Sequence, residues 1–265
     1  KNPAVDVANK LKIPVCEIKK QKDAPSGFFN LFENNKDFNL PKEDDEALVL
    51  HTSGTTSRPK IVPLSNKNIF ASSINISSSL ELTEKDHCLN IMPLFHIHGL
   101  IAILVSSMKV GASVCVSGGF NALKFLELAK SEKITWYSGV PTMHQAILMR
   151  ADKNLELAKN LKLRFLRSSS ASLPPTVFEK LNSVFECPVI EAYGMTEATH
   201  QMTSNPMPPY KQKPGFVGIP AGPEVCIMNK DDKVLNQGKE GEVCIKGSNV
   251  TLGYENNPEE NKKSF

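Results

Sequence analysis

Leu48-Val49-Leu50-His51-Thr52-Ser53-Gly54-Thr55-Thr56-Ser57-Arg58-Pro59-Lys60 is the stretch from which the rest of the chain can be read. Its apolar start reads as a buried strand, and it opens into a loop of hydroxyl side chains with one glycine, one proline and two cations. Gly54 lets the backbone come close to a ligand, and successive N–H groups in such a loop can form an anion-binding concavity. Thr52, Ser53, Thr55 and Thr56 add hydroxyl donors, and Lys60 adds a compact positive charge suited to phosphate. The plain alternative is a polar turn after a strand, and most such turns bind nothing. The density of donors, ending in Pro59-Lys60, favours phosphate. The stretch is not a P-loop, because no second glycine precedes the lysine.

The whole chain sets bounds on this reading. Its 265 residues suffice for a sizeable core in one large domain or two. A net charge of +3 and the lack of a lysine stripe argue against a nucleic-acid partner. The apolar runs are broken well short of a membrane span, so no transmembrane segment is expected. The cysteines at 16, 88, 115, 187, 226 and 244 form no C-x-x-C pair, and they read as reduced thiols in an intracellular compartment. The first residue is Lys, and the chain reads as an excerpt of a longer protein. Nothing in the sequence fixes an oligomeric state.

Working outward, residues 1–46 form a partial lead-in. A short apolar pattern at Val5, Ala8, Leu11, Ile13 and Val15 predicts a helix and a strand, and a polar loop follows. Residues 47–205 carry an α/β subdomain. Ile61-Val62-Pro63-Leu64 is a brief strand, and Ser65 is placed to cap a helix bearing Ile69, Ser72, Ile76 and Leu80 on one face. Strands are predicted at 88–92, 112–116, 134–137, 163–167 and 188–191. Helices are predicted at 98–109, 121–131, 141–150 and 175–185, with Pro141 as a first-turn proline. The alternation implies a mostly parallel sheet covered by helices, with ligands at the carboxyl ends of strands, where the Thr/Ser loop is expected to lie. Residues 206–265 begin as a Pro/Gly-rich linker. Antiparallel strands around Val225–Met228 and 241–245 then open a small β-rich subdomain, read as part of a distorted barrel.

Three further stretches carry chemistry. In Met92-Pro93-Leu94-Phe95-His96-Ile97-His98-Gly99, histidines two residues apart cannot share a helical face. The plain reading is that both are hydrogen-bonded structural histidines, and for His98 that reading is preferred. Arg167-Ser168-Ser169-Ser170-Ala171-Ser172-Leu173-Pro174 is by itself a strand-to-helix turn of small residues. Glu191-Ala192-Tyr193-Gly194-Met195-Thr196-Glu197-Ala198-Thr199-His200 follows a predicted strand, and singly its members are ordinary loop and core residues.

Together these stretches resemble the adenylate-forming enzymes, which include the acyl-CoA synthetases, the luciferases and the adenylation domains of peptide synthetases. The opening run resembles that family's T-S-G-T-T-x-x-P-K signature, and 191–197 resembles its Y-G-x-T-E motif. A glycine-bounded strand from Gly241 to Gly247, running on to Gly253-Tyr254, resembles its G-E-[LIV]-x-[LIV]-x-G…G-Y segment and is assigned no catalysis. The resemblance implies that Thr52 to Lys60, including Ser57, Arg58 and Pro59, hold the ATP phosphates. It implies that Ala171, Ser172, Glu191, Ala192, Tyr193, Gly194 and Met195 form the adenine site, with the Tyr193 ring stacked on the base. Thr196 would donate to the α-phosphate, and Glu197 would ligate Mg²⁺. With Lys60 and His96, Thr196 and Glu197 make up the implied catalytic set, and coenzyme A is the implied co-substrate.

Polarity points to the acid. A fatty-acid pocket is apolar, whereas His96, Ser170 and His200 lie in segments that converge on the acyl site. A short dicarboxylate keeps one carboxylate after adenylation, and burying it without partners costs several kcal/mol. The motif set looks closest to the oxalate–CoA ligases, which implies His96, Ser170 and His200 as the acid-holding residues. The alternatives left open are a medium-chain or aryl acid–CoA ligase, an amino-acid-activating domain and a non-catalytic nucleotide-binding fragment. The resemblance departs at Ser57 and Ile61, where many relatives carry glycine. The family's T-G-D motif and C-terminal domain are expected beyond residue 265, so the chain alone is expected to be incomplete for turnover. A cytoplasmic or peroxisomal location is expected.

Overall fold

The computed structural model describes residues 3–15, 18–20, 29–31, 40–52 and 59–265. The chain divides into the units Lys1–Pro41 and Lys42–Phe265. The first contains helix α1 (Pro3–Lys10) and strands β1 (Ile18–Lys20) and β2 (Phe29–Leu31), which pair antiparallel with Ile18 opposite Leu31. Most of the polar loop expected there lies outside the described residues.

The second unit opens with a hairpin. Strand β3 (Glu46–His51) pairs antiparallel with β4 (Ile61–Ser65) in a two-stranded sheet of its own. This corrects two expectations. The strand is half-buried and not fully buried, because a two-stranded sheet packs on one face only: Leu48 and Leu50 reach the core beside fully buried Val62 and Leu64, while Val49 faces out. The Thr/Ser loop also joins two hairpin strands, so it does not leave the carboxyl end of the parallel sheet. The loop is closed at its base by the Thr52 N–H donating to the Lys60 carbonyl at 3.0 Å and the Lys60 N–H donating to Thr52 Oγ1 at 3.1 Å.

Helix α2 (Asn66–Ser79) begins where predicted. The Ser65 hydroxyl accepts from the Asn68 N–H and the Asn68 carboxamide accepts from the Ser65 N–H, a reciprocal cap. Ile76 and Leu80 are fully buried. Next come β5 (His87–Asn90), a π-helix (His98–Val105) running into α3 (Ser106–Lys109), β6 (Ser113–Val116), α4 (Phe125–Ser131) and β7 (Trp136–Gly139). They are followed by α5 (Pro141–Ala151), α6 (Leu155–Asn160), β8 (Phe165–Ser168), α7 (Pro175–Phe185), β9 (Val189–Met195), β10 (His200–Ser204) and β11 (Ile219–Pro220).

The main sheet has the order β6-β5-β7-β8-β9-β10-β11. Its first five strands are parallel and the last two antiparallel, so the expected α/β sheet is mixed at one edge. Two apolar clusters cover its faces. One joins α4–α7 around Tyr137, Leu166 and Phe185, and the other joins α2 and the π-helix around Trp136, Phe165 and Ile101.

Three boundaries differ from expectation for local reasons. The helix expected from 98 opens as a π-helix, and a Cβ on Gly99 would meet the Pro93 carbonyl at 2.4 Å, so only glycine allows this entry. The helix expected from 121 starts at Phe125, because the Asn121 carboxamide accepts from the N–H groups of Leu123 and Lys124 and holds a turn before it. The strand expected to end at 191 runs on to Met195, because β10 pairs with its extension. In the last segment β12 (Glu224–Met228) and β13 (Glu242–Lys246) pair antiparallel as expected, followed by α8 (Pro258–Ser264). Among the described residues this segment is a two-stranded sheet with a helix and not a closed barrel.

Candidate functional site

The carboxyl ends of β5, β7, β8 and β9 bring the motif segments together. A cavity of about 240 Å³ lies against the end of β8 and β9, lined by Ser168, residues 170–172, residues 191–194, Gly215 and Val217. It therefore collects the expected adenine-site residues Ala171, Ser172, Glu191, Ala192, Tyr193 and Gly194 in one wall. Tyr193 is exposed, with its ring available to a flat ligand. Glu191 is buried and accepts from the Gly215 N–H at 3.0 Å; burial raises its pKa, and the Gly215 and Leu173 N–H groups oppose the rise. Gly194 is required by the tight β9–β10 pairing: a Cβ there would meet the His200 carbonyl oxygen at 1.8 Å.

Of the expected phosphate loop, Ser53, Gly54, Thr55, Thr56, Ser57 and Arg58 lie outside the described residues. Its two ends, Thr52 and Pro59-Lys60, are described. Lys60 Nζ pairs with Glu260 Oε1 at 2.6 Å and sits 4.6 Å from the centre of the Tyr254 ring. The Tyr254 hydroxyl donates to Glu197 Oε1 at 2.6 Å. Tyr254 thus spans the gap between the lysine that ends the loop and the acidic residue of the Y-G-x-T-E motif. The contact pushes the phenol's pKa up, with desolvation first and the Glu197 bond second. The pairing with Lys60 holds Glu260 below its ordinary carboxylate range. Thr196 opens a short 3₁₀ turn (Thr196–Ala198), and the Glu197 carbonyl accepts from the Thr251 N–H at 2.8 Å.

Among the described residues no group of three or more His, Cys, Asp or Glu is arranged to hold a metal ion. Glu197 is a single hard carboxylate with one oxygen engaged by Tyr254 and, among the described residues, no hydrogen bond to the other. That donor set fits a Mg²⁺ carried by nucleotide phosphates and water with one protein ligand, and not an all-protein cage.

The other side of β8 and β9 holds a buried polar cluster. His98 is fully buried at the start of the π-helix; its Nε2 lies 2.7 Å from the Ser138 hydroxyl and its Nδ1 3.0 Å from the Ser170 hydroxyl. Burial, then the nearby Arg167 charge, lowers the His98 pKa well below its usual value, so the ring is neutral, with one nitrogen donating and the other accepting. The His200 ring centre lies 5.1 Å from that of His98, and its Nδ1 has no partner. Burial, then Arg167 and His98, lowers its pKa in the same way. The half-buried His96 accepts the His98 N–H at Nδ1 (3.1 Å), and burial lowers its pKa too.

Two of the three expected acid-holding residues have left-handed backbones, Ser170 at φ 70° and His200 at φ 98°. Such positions cost of order 1–3 kcal/mol each in non-glycine residues and cluster where ligands are held. His98 is the buried, hydrogen-bonded histidine that the sequence reading preferred, whereas Ser138, Tyr254 and Arg167 were not singled out as candidates. One signal was legible: a cation in Phe165-Leu166-Arg167-Ser168, a central strand buried on both faces.

Against known proteins, residues 4–255 match the family described as AMP-binding enzyme. The chain is 51% identical over 225 residues to an oxalate–CoA ligase of Arabidopsis thaliana, a match covering 84% of this chain and 44% of that protein. It is 48% identical over 224 residues to an oxalate–CoA ligase of Saccharomyces cerevisiae, covering 84% and 40%. The crystal structure of ATP-bound MatB from Rhodopseudomonas palustris superposes with a TM-score of 0.78 at 31% identity, covering 84% of this chain and 44% of that one. The chain spans less than half the length of the curated relatives it matches.

Proposed function

This chain belongs to the AMP-binding enzyme family, and we propose that the full-length protein carrying it is an ATP-dependent acid–CoA ligase whose acid is a small dicarboxylate, oxalate. The observation that carries the choice of acid is the polar cluster of buried His98, Ser138 and His200 with cavity-lining Ser170, at the strand ends next to the nucleotide cavity. A long acyl chain placed there would leave His200 Nδ1, which has no partner among the described residues, unsatisfied at about 1–3 kcal/mol. A carboxylate would accept from that nitrogen. The two oxalate–CoA ligase relatives support the same acid.

In this reading ATP lies with its adenine in the cavity between 170–172 and 191–194, against Tyr193. Its phosphates run toward Thr196, Lys60 and the loop that Lys60 ends. One carboxylate of the acid attacks the α-phosphorus, the bond to pyrophosphate breaks, and an acyl-AMP forms; the thiol of coenzyme A then displaces AMP. The substrate brings its own nucleophile, so the protein's part is to offset repulsion between anions and to stabilise charge that develops on the phosphorus and the departing pyrophosphate. In this reading Thr196 and Lys60 would do this. Glu197 would hold a Mg²⁺, which supplies charge neutralisation on the phosphates when bound. Lys60 must exchange Glu260 for phosphate oxygens, a swap between partly exposed partners. His96, Ser170 and His200 hold the acid's second carboxylate.

The test is a panel of acids given to the full-length protein with ATP, Mg²⁺ and coenzyme A, scored by pyrophosphate release. Oxalate is expected to outpace 4-coumarate, octanoate and amino acids in kcat/KM. A preference for octanoate or coumarate contradicts the reading. The 265-residue chain alone is expected to show no comparable turnover.

A further inference from the structure

Among the charged groups that the described part of this molecule buries in its strand region, Asp86 and Arg167 are treated differently. Asp86, at the start of β5, accepts from Arg164 at 2.9 and 3.0 Å, from the Thr135 hydroxyl at 2.9 Å and from the Thr83 N–H at 2.9 Å. Arg167, at the end of β8, is fully buried but has one side-chain hydrogen bond, from Nη2 to the neutral Gln201 Oε1 at 3.1 Å. Among the described residues its Nε and Nη1 have no partner and no ion pair involves it. An ionised side chain buried in this way is strongly unfavourable unless an anion completes it. Burial lowers its pKa only to about 9, so it stays charged at neutral pH.

The direction of the side chain says where such an anion would sit. Side chains alternate along β8, so Arg167 shares a face with Phe165, the face covered by α2 and the π-helix that carries His98. Ser168 turns the other way and lines the nucleotide cavity. Arg167 is close enough to both His98 and His200 for its charge to depress their protonation. Its amide partner is itself fixed, Gln201 Nε2 donating to Ser79 Oγ at 2.8 Å and to the Ala221 carbonyl at 3.2 Å.

We propose that the Arg167 guanidinium is the charge of the acid pocket, a bonding partner for the carboxylate that a dicarboxylate keeps after adenylation. This rests on the acid–CoA ligase reading above and names the residue that makes the pocket select a second negative charge. The histidines supply neutral donors around that carboxylate, and the arginine supplies the charge they lack.

The experiment compares oxalate with propionate, a monoacid of similar size, in the full-length protein. Wild type, Arg167→Met, Arg167→Gln and Arg167→Lys are assayed by pyrophosphate release, with thermal unfolding as the folding control. Arg167→Met is expected to cut kcat/KM for oxalate at least 100-fold, chiefly through KM, and to lose at least tenfold more with oxalate than with propionate. Arg167→Lys should recover part of the oxalate rate. Arg167→Gln keeps a donor for Gln201 without the charge, and it carries the same expectation if the methionine variant does not fold. Equal losses with both acids overturn the proposal and leave the ligase reading standing. A wild type that prefers another small dianionic acid overturns oxalate alone, and the arginine test then runs with that acid. A wild type that prefers monoacids overturns both.

Discussion

On the nucleotide side of β8 and β9 the candidate residues range from buried Glu191 to Tyr193, which is 39% exposed, and Lys60 meets Glu260 in a partly exposed ion pair. On the acid side His98, Ser138, Arg167, His200 and Gln201 are all 2% exposed or less. Ser170 stands between them, exposed to the cavity and bonded to His98. Water can reach Tyr193 and the Lys60–Glu260 pair, so in the proposed reading contacts there position a ligand that brings its own large charge. On the second side the polar groups are closed off from water, so in the same reading the residues there discriminate among acids.

That contrast can be broken most forcefully through the turn that touches both sides. Glu197→Gln in the full-length protein is expected to lower kcat for adenylation by about 10²–10³-fold, as loss of a transition-state charge contact does. Pyrophosphate release at saturating ATP and oxalate reads it. A loss confined to the KM for ATP would place Glu197 in ground-state binding alone. Next in size, His98→Ala removes a group bonded to both Ser138 and Ser170. It is expected to reduce kcat/KM for oxalate by about 10–100-fold, the worth of a hydrogen bond to a charged group, while the KM for ATP changes little. Equal damage to both substrates would merge the two sides into one.

The buried side also predicts a pH dependence of stability. His98, His144 and His200 all have native pKa values below the usual 6.5, His144 at about 4, with burial the leading cause in each. The unfolded chain therefore binds more protons than the native one as pH falls. Stability is complete above about pH 6.5 and is lost as pH drops from there toward 4, by up to about 1.4 kcal/mol per pH unit for each histidine. Urea midpoints between pH 7 and pH 5 should show the decline. His144→Gln, which replaces the ring bonded to the Tyr137 hydroxyl at 3.1 Å, should flatten it. Parallel curves for variant and parent would contradict this account of His144. The smallest effect belongs to neither side. Ser65→Ala should cost about 1 kcal/mol by removing the cap of α2, with kinetics for both substrates unchanged.

Much of the nucleotide side was legible because its chemistry is contiguous. The run Tyr193-Gly194-Met195-Thr196-Glu197 sits in one strand and one turn, and Ser65 and Pro141 announced their helices by local rules alone. The acid side was harder. Ser138 and Ser170 lie 40 and 72 residues from the histidine they bond, so no spacing rule could pair them. Strand β10 was missed because His200-Gln201-Met202-Thr203-Ser204 has no apolar alternation. Its polar side chains are buried among partners from distant segments, such as Ser79 for Gln201 and the Val217 carbonyl for Thr203. The β3–β4 hairpin was misplaced because an apolar run of three residues looks the same in a central strand and in a hairpin packed on one face.

The most direct measurement is a crystal structure of the full-length protein with a non-hydrolysable analogue of oxalyl-AMP. The account predicts adenine against Tyr193, the phosphate near Thr196 and Lys60, and the free carboxylate enclosed by His96, Ser170, His200 and Arg167. An analogue bound with its free carboxylate turned to solvent, and that cluster closed on itself, would contradict it.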